Sequence, residues 1–210
     1  MIGRPVKSFI ATTREKILTA ADLVFGEEGF DAATTRRIAE QCGVNKALLH
    51  YHFSSKHHLF GAVLDSYYEQ LNGVLARELA TEGTGRDRFA RVLDAYVDFL
   101  GANQSFSRMV QREASGGKHL ERVVGHMLPV FRSAIEMLAH EYPQTRSGDL
   151  SGPHLLISFY GMIVSYFTYA PVLEGLWGEA PLAAPSMEQR KRHLHRMLDL
   201  VVSELERHDS

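Results

Sequence analysis

The sequence predicts an all-α fold of about nine helices, a three-helix unit at the N-terminus followed by a larger helical unit. Three observations lead there. Two short helical patterns meet at Gly43. Apolar residues recur at spacings of three and four through most of the remaining chain, with no alternating strand pattern. The stretch His154–Leu173 carries no Asp, Glu, Lys or Arg, as a helix covered on most sides does.

Thr12 and Glu15 have capping-box spacing, and Ile17, Leu18, Ala21, Val24 and Phe25 follow at helical intervals. Gly29 reads as a stop, with Phe30 folding back on the core. Thr34 is placed to cap a second helix bearing Ile38, Ala39 and Cys42 on one face. Gly43 can take the left-handed conformation that ends it, and Val44 can plug the corner. Asn45 is placed either to cap a third helix or to touch DNA; that helix carries Lys46, Leu49 and Tyr51. Two short helices joined this way form a helix-turn-helix, whose second helix enters the DNA major groove.

Ser55 can cap a fourth helix running to about Ala80. Phe89 to Leu100 marks a fifth, Phe106 to Val110 a short sixth, and Leu120 to Leu138 a seventh that Pro129 is expected to bend. The uncharged run is the eighth, ending near Pro171; the ninth spans about Met187 to Arg207. The expected domains are a flexible arm over residues 1–11 with Arg4 and Lys7, a helix-turn-helix domain over 12–58, and a helical domain over 59–210.

At 210 residues the chain can bury a substantial core, and 45% hydrophobic with 23% charged residues is ordinary for a globular protein. The net charge is −2, yet the four basic residues of the second and third helices and their junction with the fourth, Arg36, Arg37, Lys46 and Lys56, face only Glu40. A local basic face suffices for phosphate contact. The single cysteine, Cys42, excludes an internal disulfide and reads as a small core residue. The first residues lack a signal-peptide core, so a cytoplasmic location is expected, with no membrane partner. No phosphate loop, paired catalytic carboxylates or metal-ligand spacing is found, so neither an enzyme nor a cofactor or metal is expected. Of the eleven histidines, those between His50 and His58 lie in the DNA-reading segment; His119, His126, His140, His193 and His195 are expected to face solvent.

The chain resembles the TetR/AcrR family of bacterial transcriptional regulators. The likeness is carried by Ala20-Ala21, Phe25, Gly29-Phe30, Thr34-Thr35, Ile38-Ala39, Gly43-Val44, Leu49 to Phe53 and Ser55-Lys56. His50 stands where the family usually has Tyr, Leu48 where a small or polar residue is common, and His57 where Glu is common. The resemblance implies a homodimer that binds a pseudo-palindromic DNA operator, a repressor released by a small-molecule effector. In the DNA face, Lys46 can donate to guanine, Leu48 can pack on a thymine methyl, and His50 can donate to phosphates or bases. The resemblance further implies that Arg36 reaches a base and that Thr35, Tyr51, His52 and Lys56 hold phosphates or brace the motif.

In the second domain, Phe99, Phe106, Met109 and Met127 are candidates to line an effector pocket, together with Phe131, Phe159, Met162 and Tyr166. Their character suggests a largely apolar effector. The last helix carries one apolar stripe, Leu194, Met197, Leu198, Val201, Val202 and Leu205. With the eighth helix it is expected to form the dimer interface, a four-helix bundle across a two-fold axis.

Overall fold

The computed structural model describes residues 12–207, so the expected arm with Arg4 and Lys7 lies outside the described residues. Thr12 opens α1 (Thr13–Ala32): its hydroxyl accepts from the Glu15 amide while the Glu15 carboxylate accepts from the Thr12 amide, the reciprocal capping box. Gly29 interrupts α1 with φ of 79°, a region closed to most side chains, and turns the chain so that Phe30 is buried. Thr34 caps α2 (Thr35–Cys42) by accepting from the Arg37 amide. Gly43, at φ 72°, ends it in the left-handed conformation. Asn45 caps α3 (Lys46–His52), and the Ser55 hydroxyl accepts from the His58 amide at the start of α4 (Lys56–Ala80).

Among the described residues the chain divides into two compact units, up to Asp65 and from Ser66 onward. The division falls later than the expected 58/59 boundary. The cause is apolar: Leu59, Phe60, Val63 and Leu64 of α4 are all buried in the first unit. Phe60 sits edge-on to Phe25 with ring centroids 4.9 Å apart and to Phe30 at 5.2 Å, geometry favoured by the ring quadrupoles.

The second unit holds the remainder of α4, then α5 (Gly85–Ala102), α6 (Gln104–Ala114), α7 (Leu120–Glu141), a short 3-10 turn (Pro143–Arg146), α8 (Gly152–Thr168), α9 (Ala170–Trp177) and α10 (Ala184–Arg207). That is one α-helix more than the sequence implies. The uncharged run breaks at Tyr169, and α8 and α9 meet at 71°. Pro171 is the physical reason: within a continuous helix it lacks the amide donor and its ring meets a carbonyl of the preceding turn, whereas in the first turn of a new helix neither matters. Among the described residues no single helix is long and apolar enough to cross a membrane.

The final helix corrects the expected dimer stripe. Leu194, Leu198, Val202 and Leu205 are buried within the chain itself, and Leu198 and Val202 pack with Ala90, Phe89, Leu93 and Phe159. Polar pairs flank this seam in antiparallel order: Arg86 donates to Asp199 at 2.6 Å, His195 pairs with Asp94 at 2.8 Å, and Lys191 with Asp98 at 2.6 Å. The helix has one apolar stripe, and α5 takes it. Met197 and Val201 flank the stripe and are half-buried.

Candidate nucleic-acid interface and ligand cavity

The third helix is held by its inner face. Leu49 and Phe53 are 1% exposed, and the Asn45 side chain accepts from the Leu48 amide at 2.7 Å. That leaves Lys46, Ala47, His50 and Tyr51 on the outward face, Lys46 above His50 and Ala47 above Tyr51 at i, i+4. Tyr51 is 83% exposed, which is unusual for a large aromatic with a structural duty, and Leu48 is 37% exposed. Ala47 is absent from the sequence-derived set; its small side chain carries no chemical signal, and only its place between Lys46 and Tyr51 identifies it.

The other candidates divide. The Asn45 side-chain oxygen serves the cap, which resolves the open choice in favour of capping for that atom. Arg36 is exposed and pairs with Glu40 at 2.9 Å, an i, i+4 surface bridge of small worth. Thr35 is half-buried in the first turn of α2, and His52 is half-buried beside Tyr51, ring centroids 5.2 Å apart. Of the two roles open to Lys56, phosphate contact and bracing, the geometry is that of a brace. Its ammonium donates to the Phe30, Asp31 and Ala33 carbonyls at 2.8, 3.3 and 2.9 Å and lies 4.4 Å from the Phe30 ring centre. These are carbonyls left over where α1 ends, so Lys56 ties the start of α4 to the end of α1. Cys42 is half-buried rather than core, and burial pushes its thiol pKa up, with Lys16 opposing.

The second unit contains two adjoining apolar cavities of about 160 and 390 Å³. They share walls from Leu75 on α4, Val92 on α5, Val130 on α7 and Phe159 on α8. The smaller ends among Tyr68, Phe106 and Met127; the larger extends to Tyr142, Val202 and Leu205. Of the expected lining residues, Phe106, Met127, Phe131 and Phe159 border the smaller cavity. Phe99 and Met109 do not; they are 7% and 1% exposed and fill the core. Met162 and Tyr166 lie on another face of α8. The Met162 carbonyl accepts from Arg190, and the Tyr166 hydroxyl donates to the Pro181 carbonyl at 2.8 Å. The inward face of α8 is instead Leu156, Phe159, Tyr160 and Ile163. Val201, Val202, Leu198 and Leu205, expected at a subunit boundary, border the larger cavity.

The cavity wall is partly made by α4. Tyr68, Leu71, Leu75 and Leu79 all contribute, and the same helix begins at Lys56. Three histidines expected in solvent are engaged: His119 is buried against Glu113, whose carboxylate accepts from the His119 amide at 2.7 Å; His126 stacks on Tyr68 at 4.5 Å; His195 pairs with Asp94.

Residues 17–63 match the family described as bacterial regulatory proteins, tetR family. The HTH-type transcriptional activator FasR of Mycolicibacterium smegmatis is 34% identical over 97 residues, which are 46% of this chain and 44% of that protein; the chain thus spans under half the length of this relative. Two solved structures share the fold. The fatty acid degradation regulator FadR from Bacillus halodurans has a TM-score of 0.72 at 13% identity, covering 90% of this chain and 95% of that one. The transcriptional regulator FadR from Bacillus subtilis, in complex with stearoyl-CoA, has a TM-score of 0.70 at 14% identity, covering 87% and 96%. The helix-turn-helix unit thus matches the tetR family model over residues 17–63, and the chain as a whole shares the fold of these solved regulators.

Proposed function

We propose that the protein is a homodimeric, cytoplasmic repressor released from a pseudo-palindromic operator by a small, largely apolar effector. The observation that carries this reading is the apolar cavity system walled in part by α4, the helix whose first residue is tied to the helix-turn-helix unit through Lys56. A ligand that prefers one placement of α4 biases the recognition helices attached to it. The larger cavity falls within the roughly 300–1,000 Å³ of small-molecule sites. A fold neighbour solved with stearoyl-CoA supports an apolar ligand class.

Two recognition helices reading one palindrome sit about 34–36 Å apart when competent for DNA. An effector that nearly empties the operator needs roughly 10⁴-fold preference for the incompetent state. DNA contact rests on Lys46, Ala47, Leu48, His50 and Tyr51, with Arg36, Thr35 and His52 at its edge. For the dimer, the exposed sides of α8 and α10 offer Ile157, 55% exposed, and Leu200, 49% exposed, in place of the stripe that α5 covers.

Two experiments test the reading. Operators obtained by selection from random DNA are screened with a compound library by thermal shift and operator release together. Linkage requires a cognate effector to raise the melting temperature and to release DNA at matching concentrations. A regulator without an effector shows neither. For the dimer, Ile157→Glu with Leu200→Glu places unpaired charge in an apolar contact and is expected to give folded monomers. Sedimentation showing an unchanged dimer moves the interface elsewhere.

A further inference from the structure

We infer that the two cavities hold one ligand with a long hydrocarbon body and a single uncharged oxygen group, the oxygen at the Tyr68 hydroxyl and the hydrocarbon passing Phe159 toward Leu205. This rests on the ligand-responsive reading above and names the chemical class for that same site.

Charge sets the first limit. Among the described residues no Asp, Glu, Lys, Arg or His borders either cavity. A carboxylate or phosphate taken into such a space loses its water and gains no ionic partner, so the enclosed part of the ligand is neutral. Any charged portion of a larger ligand stays outside.

The hydrogen-bonding inventory sets the second. In the smaller cavity the Ser107 hydroxyl accepts from Gln111 at 2.8 Å, and the Gln111 carbonyl oxygen accepts from Thr168 at 2.7 Å. The Tyr96 and Tyr160 hydroxyls are bonded to each other. Asn72 and Ser133 border the space but are solvent-exposed, and Tyr142, at the far end of the larger cavity, is only half-buried. The Tyr68 hydroxyl differs: it is buried and has no hydrogen-bond partner. Buried hydroxyls are rarely left so; a small turn of the Tyr68 ring toward the adjoining space lets an oxygen on a ligand satisfy it. Burial, with a smaller contribution from Tyr160, also pushes the Tyr68 pKa far above its usual value, so the group stays a neutral donor.

Shape sets the third. The cavities adjoin across shared walls at Leu75 and Phe159, and beyond them the larger one is bounded by Leu79, Leu138, Leu155, Val202 and Leu205. That end offers hydrocarbon contact and suits the ligand's tail. A straight alkyl chain with an alcohol or ester oxygen and a fused-ring ketone share this chemistry; the probes below separate them.

The full-length protein is assayed by thermal shift and operator release with 1-hexadecanol, 5α-androstan-3-one, hexadecane and palmitate at pH 8. The expected result is that 1-hexadecanol or 5α-androstan-3-one binds, the one that does so telling chain from rings. Hexadecane and palmitate bind at least about tenfold more weakly, the scale of one hydrogen bond or more. Tyr68→Phe is expected to erase the preference for the oxygenated probe over hexadecane while leaving operator affinity without ligand unchanged. Val202→Trp, a second variant that shortens the larger cavity, is expected to shift preference from 1-hexadecanol to 1-decanol, or to exclude 5α-androstan-3-one. Palmitate binding as tightly as 1-hexadecanol, a preference that survives Tyr68→Phe, or no binding of any probe overturns the inference. A probe that binds with the expected preferences but leaves the operator occupied overturns the ligand-responsive reading instead and leaves the site chemistry standing.

Discussion

Phe60→Ala is expected to unfold the first unit while the second stays folded. Phe60 is 1% exposed and sits between Phe25 and Phe30, whose rings it meets at 4.9 and 5.2 Å. Truncating a buried Phe costs about 3–5 kcal/mol, as lost transfer energy and as the cavity left behind. The first unit is small, and small units carry little stability in reserve. The second unit keeps its own buried centre, including Leu100, Met109, Ile163 and Leu194. Calorimetry should therefore resolve two transitions, the lower one displaced in the variant, and operator binding should vanish at temperatures where most helical signal persists. A single transition lowered as a whole would mean that the units unfold as one.

Lys56→Ala and Lys46→Ala should separate bracing from reading. Lys56 donates to three carbonyls at the end of α1, so its loss should cost about 1.5–3 kcal/mol of first-unit stability, the range for hydrogen bonds to a charged group. Operator affinity then falls only through folding, and its salt dependence is unchanged. Lys46 is exposed on the outward face of α3, so its loss should leave the melting temperature within the small range of surface substitutions. It should lower specific affinity by about 1–3 kcal/mol through a lost base contact. Binding titrations against salt, run beside thermal melts, decide the matter. If Lys56→Ala melts like wild type and flattens the salt slope by about one unit, Lys56 holds a phosphate after all.

The helix-turn-helix was legible because its signals are local. Thr12, Thr34, Asn45 and Ser55 cap amides three residues on, and Gly43 ends α2 through its own backbone conformation. Interactions closed within four residues are written in the order of the chain. The break at Tyr169 was half-legible: Pro171 was read as the end of a helix, but a new helix directly after it needs only that proline occupy a first turn, which the sequence permits equally with a loop.

What the sequence could not decide was partnership across distance. It determined that this is an all-α chain with a helix-turn-helix at its start, and that the last helix has one apolar face. Periodicity states that such a face is covered and not by what, so the Leu194 to Leu205 stripe suited a second subunit as well as α5. Only the folded chain assigns it to α5, with Asp94 and Asp98 meeting His195 and Lys191 along the seam. The cavity followed the same rule. Phe99, Met109, Met162 and Tyr166 match Phe106, Met127, Phe131 and Phe159 in type and spacing; tertiary packing alone turned the second group toward empty space and the first into filled core or onto α10. A cavity is the volume that side chains from several helices fail to fill, and no single stretch of sequence encodes it.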